Sequence, residues 1–341
     1  MSVAAAHSGS KTSSRSGDPP PGPLLALLLA GDRRALAQAI TLVESTRPDH
    51  RERADALLAS VLPHTGKSVR LGITGVPGVG KSTFIERFGL TLIERGRSLA
   101  VLAIDPSSKR GGGSILGDKT RMEELSRRHA AFIRPSPAGA TMGGVARRTR
   151  EAMQLVEAAG FDTVLVETVG VGQSETAVAD MVDMFIVLLL PGGGDDLQGI
   201  KRGVIELADL LVVNKADGDL LATARRSAAD YQHALRMLRS PTAGWTPEVT
   251  TCSALSGTGV AEIWAIVERF LAAVGKPGIA RRRAEQARAW MWNEVGETLL
   301  AALRRHPEVK KLLGGLERDV EAGRTTPAAA ARRLLEAFHG R

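Results

Sequence analysis

The chain has very few of the residues that form disulfides, cysteine-rich metal sites and base-stacking surfaces. Cys252 is the only cysteine among 341 residues, which excludes an intrachain disulfide and a cysteine-rich metal site. This cysteine usage fits a reducing cytoplasm, where we predict the protein to be. Aromatic residues make up only 4% of the chain, too few for a platform of stacked bases. Despite the net charge of +8, we therefore expect no nucleic-acid partner.

Long hydrophobic runs are also missing. The longest are LLALLLA, from Leu24, and MFIVLLL, from Met184, and both fall far short of the ~20 apolar residues that cross a bilayer. We therefore expect no transmembrane helix and no membrane partner. The content of 43% hydrophobic and 24% charged residues is typical of a globular chain with a large buried core.

Four regions can be distinguished along the chain. Residues 1–22 are rich in Ser, Gly and Pro and bury too little apolar surface to offset the entropy of ordering, so we predict a disordered tail. An organelle transit peptide is the alternative, because the stretch is Ser-rich and poor in acids. Residues 23–65 show helical periodicity, residues 66–275 mix strand and helix signals, and residues 276–341 are helical with no strand signal.

Within residues 66–275, seven apolar runs of strand length alternate with amphipathic helical segments. Runs that do not alternate with polar residues indicate strands buried on both faces, as in a parallel sheet. The pattern predicts a doubly wound, mostly parallel α/β sheet. The runs are SVRLGIT (68–74), SLAVLAI (98–104), AAFIRP (130–135), DTVLVET (162–168), MFIVLLL (184–190), DLLVVN (209–214) and EVTTC (248–252).

The first run leads directly into GVPGVGKST, residues 75–83. Gly75, Gly80, Lys81 and Ser82 fit the phosphate-loop spacing G-x-x-x-x-G-K-[ST]. Glycines let backbone N–H groups surround phosphates, the lysine reaches the β and γ oxygens, and the serine hydroxyl ligates Mg²⁺. A glycine-rich turn is the alternative, and the predicted strand before it and helix after it argue against that reading.

Two later strand ends predict that the base is guanine. The run DLLVVN leads into Asn214-Lys215-Ala216-Asp217, and the last strand is followed by Ser253-Ala254-Leu255. A carboxylate at Asp217 accepts hydrogen bonds from the guanine N1–H and exocyclic amine, whereas adenine has an acceptor at N1 and no amine at C2. Adenine would leave the carboxylate unpaired, which is costly in a buried site. A backbone amide of the 253–255 segment is expected on guanine O6.

Three acids are predicted near the same sheet edge. The strand DTVLVE delivers Glu167 there, Asp105 follows SLAVLAI, and Asp118 lies in GGGSILGDKTRM. We expect them to hold Mg²⁺ with Ser82, although a turn at Asp105 and a helix cap at Asp118 are alternatives. Where many GTP-hydrolysing proteins have a water-orienting glutamine after Asp-x-x-Gly, this chain has Val171. Slow intrinsic hydrolysis is therefore predicted, with the missing group supplied in trans.

Taken together, these motifs resemble the MeaB type of GTPase, the chaperone associated with methylmalonyl-CoA mutase. The similarity spans about residues 23–300. It implies a P-loop GTPase domain at 66–275 and a helical dimerisation region at 276–341. It also implies a homodimer that hydrolyses GTP to GDP on Mg²⁺, protects an adenosylcobalamin-dependent acyl-CoA mutase and gates its cofactor loading. The segments that carry it are GVPGVGKST, AIDPSS (103–108), GGSILGDKTRM (112–122), FIRPSP (132–137), ETVGVGQSE (167–175), LPGGGDDLQGIK (190–201) and NKAD (214–217).

The family's functional positions transfer residue by residue. The resemblance makes Lys81, Asp105, Glu167 and Lys201 the candidate catalytic or switch residues, with Lys201 in a glycine-rich loop at 191–201 that would relay nucleotide state to the mutase. Three consecutive glycines at 192–194 depart from the family pattern, where we expect one alanine. The nucleotide contacts fall on Gly75, Gly78, Val79, Gly80, Lys81, Ser82, Thr83, Asn214, Lys215, Asp217, Ser253, Ala254 and Leu255.

Two alternatives remain open. A nickel-insertion GTPase would share the fold and base chemistry, but it needs soft or imidazole ligands, and the seven histidines are scattered. A P-loop kinase would usually lack the N-K-x-D motif. A preference for GTP over ATP separates the kinase from both GTPases.

The C-terminal region carries an amphipathic helix with two tryptophans. Trp290 and Trp292 are two residues apart and so point about 200° from each other on a helix. We expect one to pack on its own chain and the other on a second subunit. Small and apolar residues at steps of three or four form one face of this helix, namely Ala284, Ala287, Met291, Val295 and Leu299.

Overall fold

The protein is built on one seven-stranded sheet in which every strand is parallel to its neighbours. The computed structural model describes residues 22–104, 122–135, 142–168, 174–192 and 202–340. The strand order is β3-β2-β4-β1-β5-β6-β7. The strands are β1 Val69–Gly75, β2 Leu99–Ile104, β3 Ala131–Arg134, β4 Thr163–Thr168, β5 Met184–Leu189, β6 Leu210–Val213 and β7 Glu248–Thr251.

Twelve α-helices lie within the described ranges. They are α1 Pro23–Leu29, α2 Arg33–Glu44, α3 Pro48–Val61, α4 Lys81–Glu94, α5 Glu123–Ser126, α6 Met142–Ala158, α7 Ser174–Ala179, α8 Arg202–Ile205, α9 Leu221–Leu235, α10 Val260–Arg305, α11 Pro307–Glu321 and α12 Pro327–His339. In this part of the chain, no helix is both long and apolar enough to cross a membrane.

Both faces of the sheet are covered, which explains why the strand sequences do not alternate. On β4, Val164 and Val166 pack in one core with residues of α1–α3, α6, α7 and α9. Leu165 points to the other face and joins residues of α4, α5 and the first part of α10. Each strand therefore needs apolar side chains in both directions. The predicted doubly wound sheet is confirmed, and all seven predicted runs form strands.

The helices at 23–61 pack on the same core as the sheet. Asp32 begins α2 by accepting a hydrogen bond from the Ala35 amide at 2.7 Å, an arrangement that satisfies an otherwise unpaired helical N–H. Leu36, Ile40 and Val43 of α2 are fully or almost fully buried, and they belong to the core that contains α6. The division of the chain into four regions stays a prediction.

The long helix α10 is interrupted at Gly275, whose φ of 68° and ψ of 165° are not helical. Before this residue, Ile263, Trp264 and Phe270 are buried against the sheet. After it, most side chains are exposed. Gly275 therefore separates a packed helix from the C-terminal helical arm, by which we mean residues 276–340.

Candidate functional site

The carboxyl edge of the sheet carries the predicted phosphate loop. β1 ends at Gly75, and α4 begins at Lys81. A side chain at position 75 would lie 2.6 Å from the Leu188 carbonyl oxygen of β5, so only glycine allows this close approach of two backbones. Gly78 and Gly80 have φ values of 80° and 91°, a left-handed conformation that glycine adopts at little cost. The loop geometry thus depends on its three glycines.

Lys81 lies over this loop. Its Nζ donates hydrogen bonds to the carbonyl oxygens of Gly75, at 2.7 Å, and Val76, at 3.3 Å. Ser82 is half-buried and Thr83 is exposed in the first turn of α4, where helical N–H groups and the helix dipole favour an anion. The arrangement brings a fixed cation and a hydroxyl to the point where the helix begins.

Asn214 joins the phosphate loop to the predicted guanine loop. It follows β6 and is buried. Its Nδ2 donates to the Val79 carbonyl oxygen at 2.8 Å, and its Oδ1 accepts from the Ala254 amide at 3.0 Å. Two segments far apart in sequence are therefore held together by one side chain. The motif alone gave no indication of the contact with Val79.

The N-K-A-D and S-A-L segments meet beside Asn214. The Ser253 hydroxyl donates a hydrogen bond to Asp217 Oδ2, and the Ala216 amide donates to the Cys252 carbonyl oxygen at 2.9 Å. Lys215 has φ of 60°, the only positive value of a non-glycine residue in the described ranges. Such backbone strain is often found at functional sites. Leu255 is 77% exposed at the rim, and its carbonyl oxygen accepts from Arg87 of α4 at 3.3 Å.

Cys252 makes a contact with Asn214 that the sequence did not suggest. Its thiol is buried and lies 3.5 Å from Asn214 Oδ1, to which it can donate. Burial raises the pKa of this thiol to about 12, so it is neutral at physiological pH. The only available sequence signal was its place directly before Ser253. The neutral thiol supports Asn214 and is not a nucleophile.

Glu167 lies at the same edge as the phosphate loop. In the sheet it pairs with Ile73 of β1 and Ala103 of β2, and it is buried. The next residue, Thr168, shares a hydrogen bond of 2.6 Å with Thr74 through their hydroxyl groups. Glu167 and Ser82 offer a carboxylate and a hydroxyl, oxygen donors of the kind that Mg²⁺ prefers. Within the described residues, no group of three or more His, Cys, Asp or Glu side chains could hold a metal.

Several predicted residues fall outside the part of the chain that the structure describes. These are Asp105, Asp118, Val171, Lys201 and the glycines at 193–194. Their predicted roles in metal binding, hydrolysis and the switch loop stay predictions, as do the roles of the described site residues. Gly192 is described, and its amide donates to Ser227 Oγ at 3.0 Å.

Comparison with known proteins identifies close relatives over almost the whole length. Residues 36–308 match the family model described as "Methylmalonyl Co-A mutase-associated GTPase MeaB". The chain is 59% identical to a "Putative GTPase" of Caulobacter vibrioides over 91% of this chain and 95% of that protein. It is 51% identical to the "Methylmalonic aciduria type A homolog, mitochondrial" of Mus musculus, over 92% and 78%. It is 47% identical to "GTPase ArgK" of Escherichia coli, over 91% and 94%.

A solved structure shares the fold. The crystal structure of a protein called "LAO/AO transport system kinase" superposes with a TM-score of 0.75 at 40% sequence identity. The match covers 93% of this chain and 96% of that one.

Proposed function

This chain belongs to the MeaB family of GTPases, and from this we propose that it uses Mg²⁺-dependent GTP hydrolysis as a switch. The switch would protect an adenosylcobalamin-dependent acyl-CoA mutase and gate the loading of its cofactor, with methylmalonyl-CoA mutase the first partner to test. The partner is suggested by the description of the family. The observation that carries guanine-nucleotide binding is Asn214, which connects the phosphate loop at Val79 with the guanine loop at Ala254.

The proposed mechanism assigns one task to each described group. Lys81 and the first turn of α4 bind and orient the phosphates, and Asp217 accepts from the guanine edge. Ser82 and Glu167 would hold Mg²⁺, directly or through its water molecules, and the bound ion would supply positive charge against the phosphate oxygens. Glu167 can also hold the attacking water. The cytoplasmic location inferred from the single cysteine is part of this proposal.

The central experiment is a titration of purified methylmalonyl-CoA mutase into this protein while phosphate release is measured. We expect the isolated protein to hydrolyse GTP slowly and the mutase to raise the rate, because a missing orienting group supplied in trans can contribute about 10³–10⁵ in rate. The Lys81→Ala variant controls for contaminating hydrolysis. An adenosylcobalamin-independent acyl-CoA enzyme serves as a control partner. A rate unchanged by the mutase would contradict the proposed switch.

We also propose that the protein is a homodimer formed through the C-terminal helical arm. Trp290 packs on its own chain, where Nε1 donates to the Asp180 carbonyl oxygen at 3.1 Å and the Arg150 guanidinium lies 4.9 Å from the ring centroid. Trp292 is 65% exposed. Large apolar side chains continue along the exposed side of α10, namely Met291, Val295, Leu299 and Leu300. A contiguous apolar surface of this kind is typical of an interface.

Replacing Trp292 with aspartate should convert the dimer to a monomer, since a buried unpaired charge opposes association. Light scattering coupled to gel filtration at micromolar concentration measures the mass. Met237→Asp is the matched control because Met237 is 76% exposed and follows α9, outside the arm. If wild type and Trp292→Asp have the same mass, the proposed interface is wrong.

A further inference from the structure

One side of the C-terminal helical arm contacts a short turn at the amino edge of the sheet, the edge opposite the phosphate loop. Arg283 donates to both carboxylate oxygens of Asp183, at 2.7 and 2.6 Å. Gln286 Nε2 donates to the Val182 carbonyl oxygen at 2.9 Å. Together with the bond from Trp290 to Asp180, three side chains spaced by three and four residues contact this turn. Such spacing places them on one helix face.

The turn at 180–183 connects α7 with β5. In the described chain, α7 is the first element after Glu167 and Thr168. α7 and the turn also pack closely against β1, the strand that leads into the phosphate loop. A side chain at Gly72 of β1 would lie 2.8 Å from Val178 and 3.0 Å from Val182. Because there is no free space at this contact, a displacement of α7 is passed on to the turn.

The contact between the arm and the turn is held by many hydrogen bonds at one end and by few at the other. At one end, Arg283 also donates to the carbonyl oxygens of Gly66 and Ser68, each at 2.6 Å, and the buried Asp183 accepts from the Arg70 amide at 2.9 Å. This end is fixed to the start of β1. At the other end, Gln286 and Trp290 each make a single hydrogen bond to the turn. Gln286 and Trp290 are therefore the part of the contact that can move when α7 moves.

The same stretch of helix has a second, exposed side. Trp292 and Met291 lie on that side and are more than half exposed. No break in the helical backbone occurs between Lys276 and Arg305. A helix of this length behaves as a stiff element, so a shift at Gln286 and Trp290 also moves the exposed side.

We propose that Gln286 and Trp290 are positioning residues of the GTPase, acting through the turn at 180–183 and α7. They hold α7 in the position that hydrolysis at the carboxyl edge of the sheet requires. In return, the arm changes position with the bound nucleotide, because two coupled sites affect each other equally. This inference rests on the GTPase activity of the family and is independent of the mutase. All its tests use the full-length protein without a partner enzyme.

The first test is single-turnover hydrolysis by two variants: Gln286→Leu removes one hydrogen bond at nearly constant size, and Trp290→Phe removes the indole N–H but keeps an aromatic ring. We expect hydrolysis to slow by about fivefold or more, as coupling energies of this kind produce, while the affinity for fluorescent GDP stays at the wild-type value. The unchanged affinity shows that the fold is intact, because the guanine loop is formed by other residues. Asn293→Leu, an equivalent change at an exposed position of the same helix, should leave both quantities unchanged.

The second test follows Trp290 directly. In protein labelled with 5-fluorotryptophan, the ¹⁹F resonance lost in Trp290→Phe belongs to Trp290. We expect this resonance to differ between the GDP-bound protein and the complex with a non-hydrolysable GTP analogue, and the difference to shrink in Gln286→Leu. A Trp290 resonance at the same position in both complexes would overturn the proposal, and so would wild-type hydrolysis by both variants.

Discussion

Replacing Lys81 with alanine should lower the rate of GTP hydrolysis by about 10²–10³-fold, the usual cost of removing one preorganised group that stabilises charge in a transition state. The ammonium group is already held over the phosphate loop by the carbonyl oxygens of Gly75 and Val76. It therefore needs little reorganisation to reach the oxygens on which charge develops during phosphoryl transfer. Alanine leaves the backbone N–H groups in place and removes only the cation.

The measurement is phosphate release from protein saturated with GTP, so that weaker binding does not mask the effect on the chemical step. Lys67→Ala is the matched control. Lys67 is exposed and precedes β1, whereas Lys81 follows its carboxyl end. Hydrolysis by Lys81→Ala at the wild-type rate would show that Lys81 does not take part in the reaction.

Replacing Asp217 with asparagine should weaken GTP binding and create binding of xanthosine triphosphate. A hydrogen bond to a charged group contributes about 1.5–3 kcal/mol. Losing or weakening two such bonds to guanine should lower the affinity for GTP by about 10²–10⁴-fold. The asparagine amide would face the exocyclic amine of guanine, donor against donor. Xanthine carries an oxygen at that position, which the same amide can bind.

Competition between GTP, xanthosine triphosphate and ATP for a fluorescent nucleotide measures this change. Asp219→Asn makes the same substitution two residues further on, at an exposed position, and should bind GTP like the wild type. An Asp217→Asn protein that still prefers GTP would contradict the assignment of Asp217 to the base. Equal binding of ATP and GTP by the wild type would favour the kinase alternative.

The features that the sequence predicted best are those fixed by local chemistry. A strand that is buried on both faces must be apolar throughout, so the seven runs were recognisable without knowing their partners. The phosphate loop depends on conformations open to glycine and on a lysine at the start of a helix, and both appear at fixed spacing in the sequence. Helical periodicity also showed that Trp290 and Trp292 point in opposite directions.

Features that depend on pairing between distant segments were not predictable in the same way. Periodicity could not decide which tryptophan contacts its own chain, because that depends on where the turn at 180–183 lies. The bond from Asn214 to Val79 joins residues 135 positions apart, and no local pattern encodes it. The bonds of Arg283 to Asp183 likewise arise from the path of α10 past the amino ends of β1 and β5.

The buried, neutral thiol of Cys252 has a practical consequence for spectroscopy. Only the thiolate reacts readily with maleimide and methanethiosulfonate reagents, and this thiol is both 2% exposed and protonated at neutral pH. A cysteine introduced on the exposed side of the arm would therefore be labelled selectively, without first replacing the native one. Spin labels attached there would give distances between the two copies of the proposed dimer by electron paramagnetic resonance in each nucleotide state, with the contact between Cys252 and Asn214 left undisturbed.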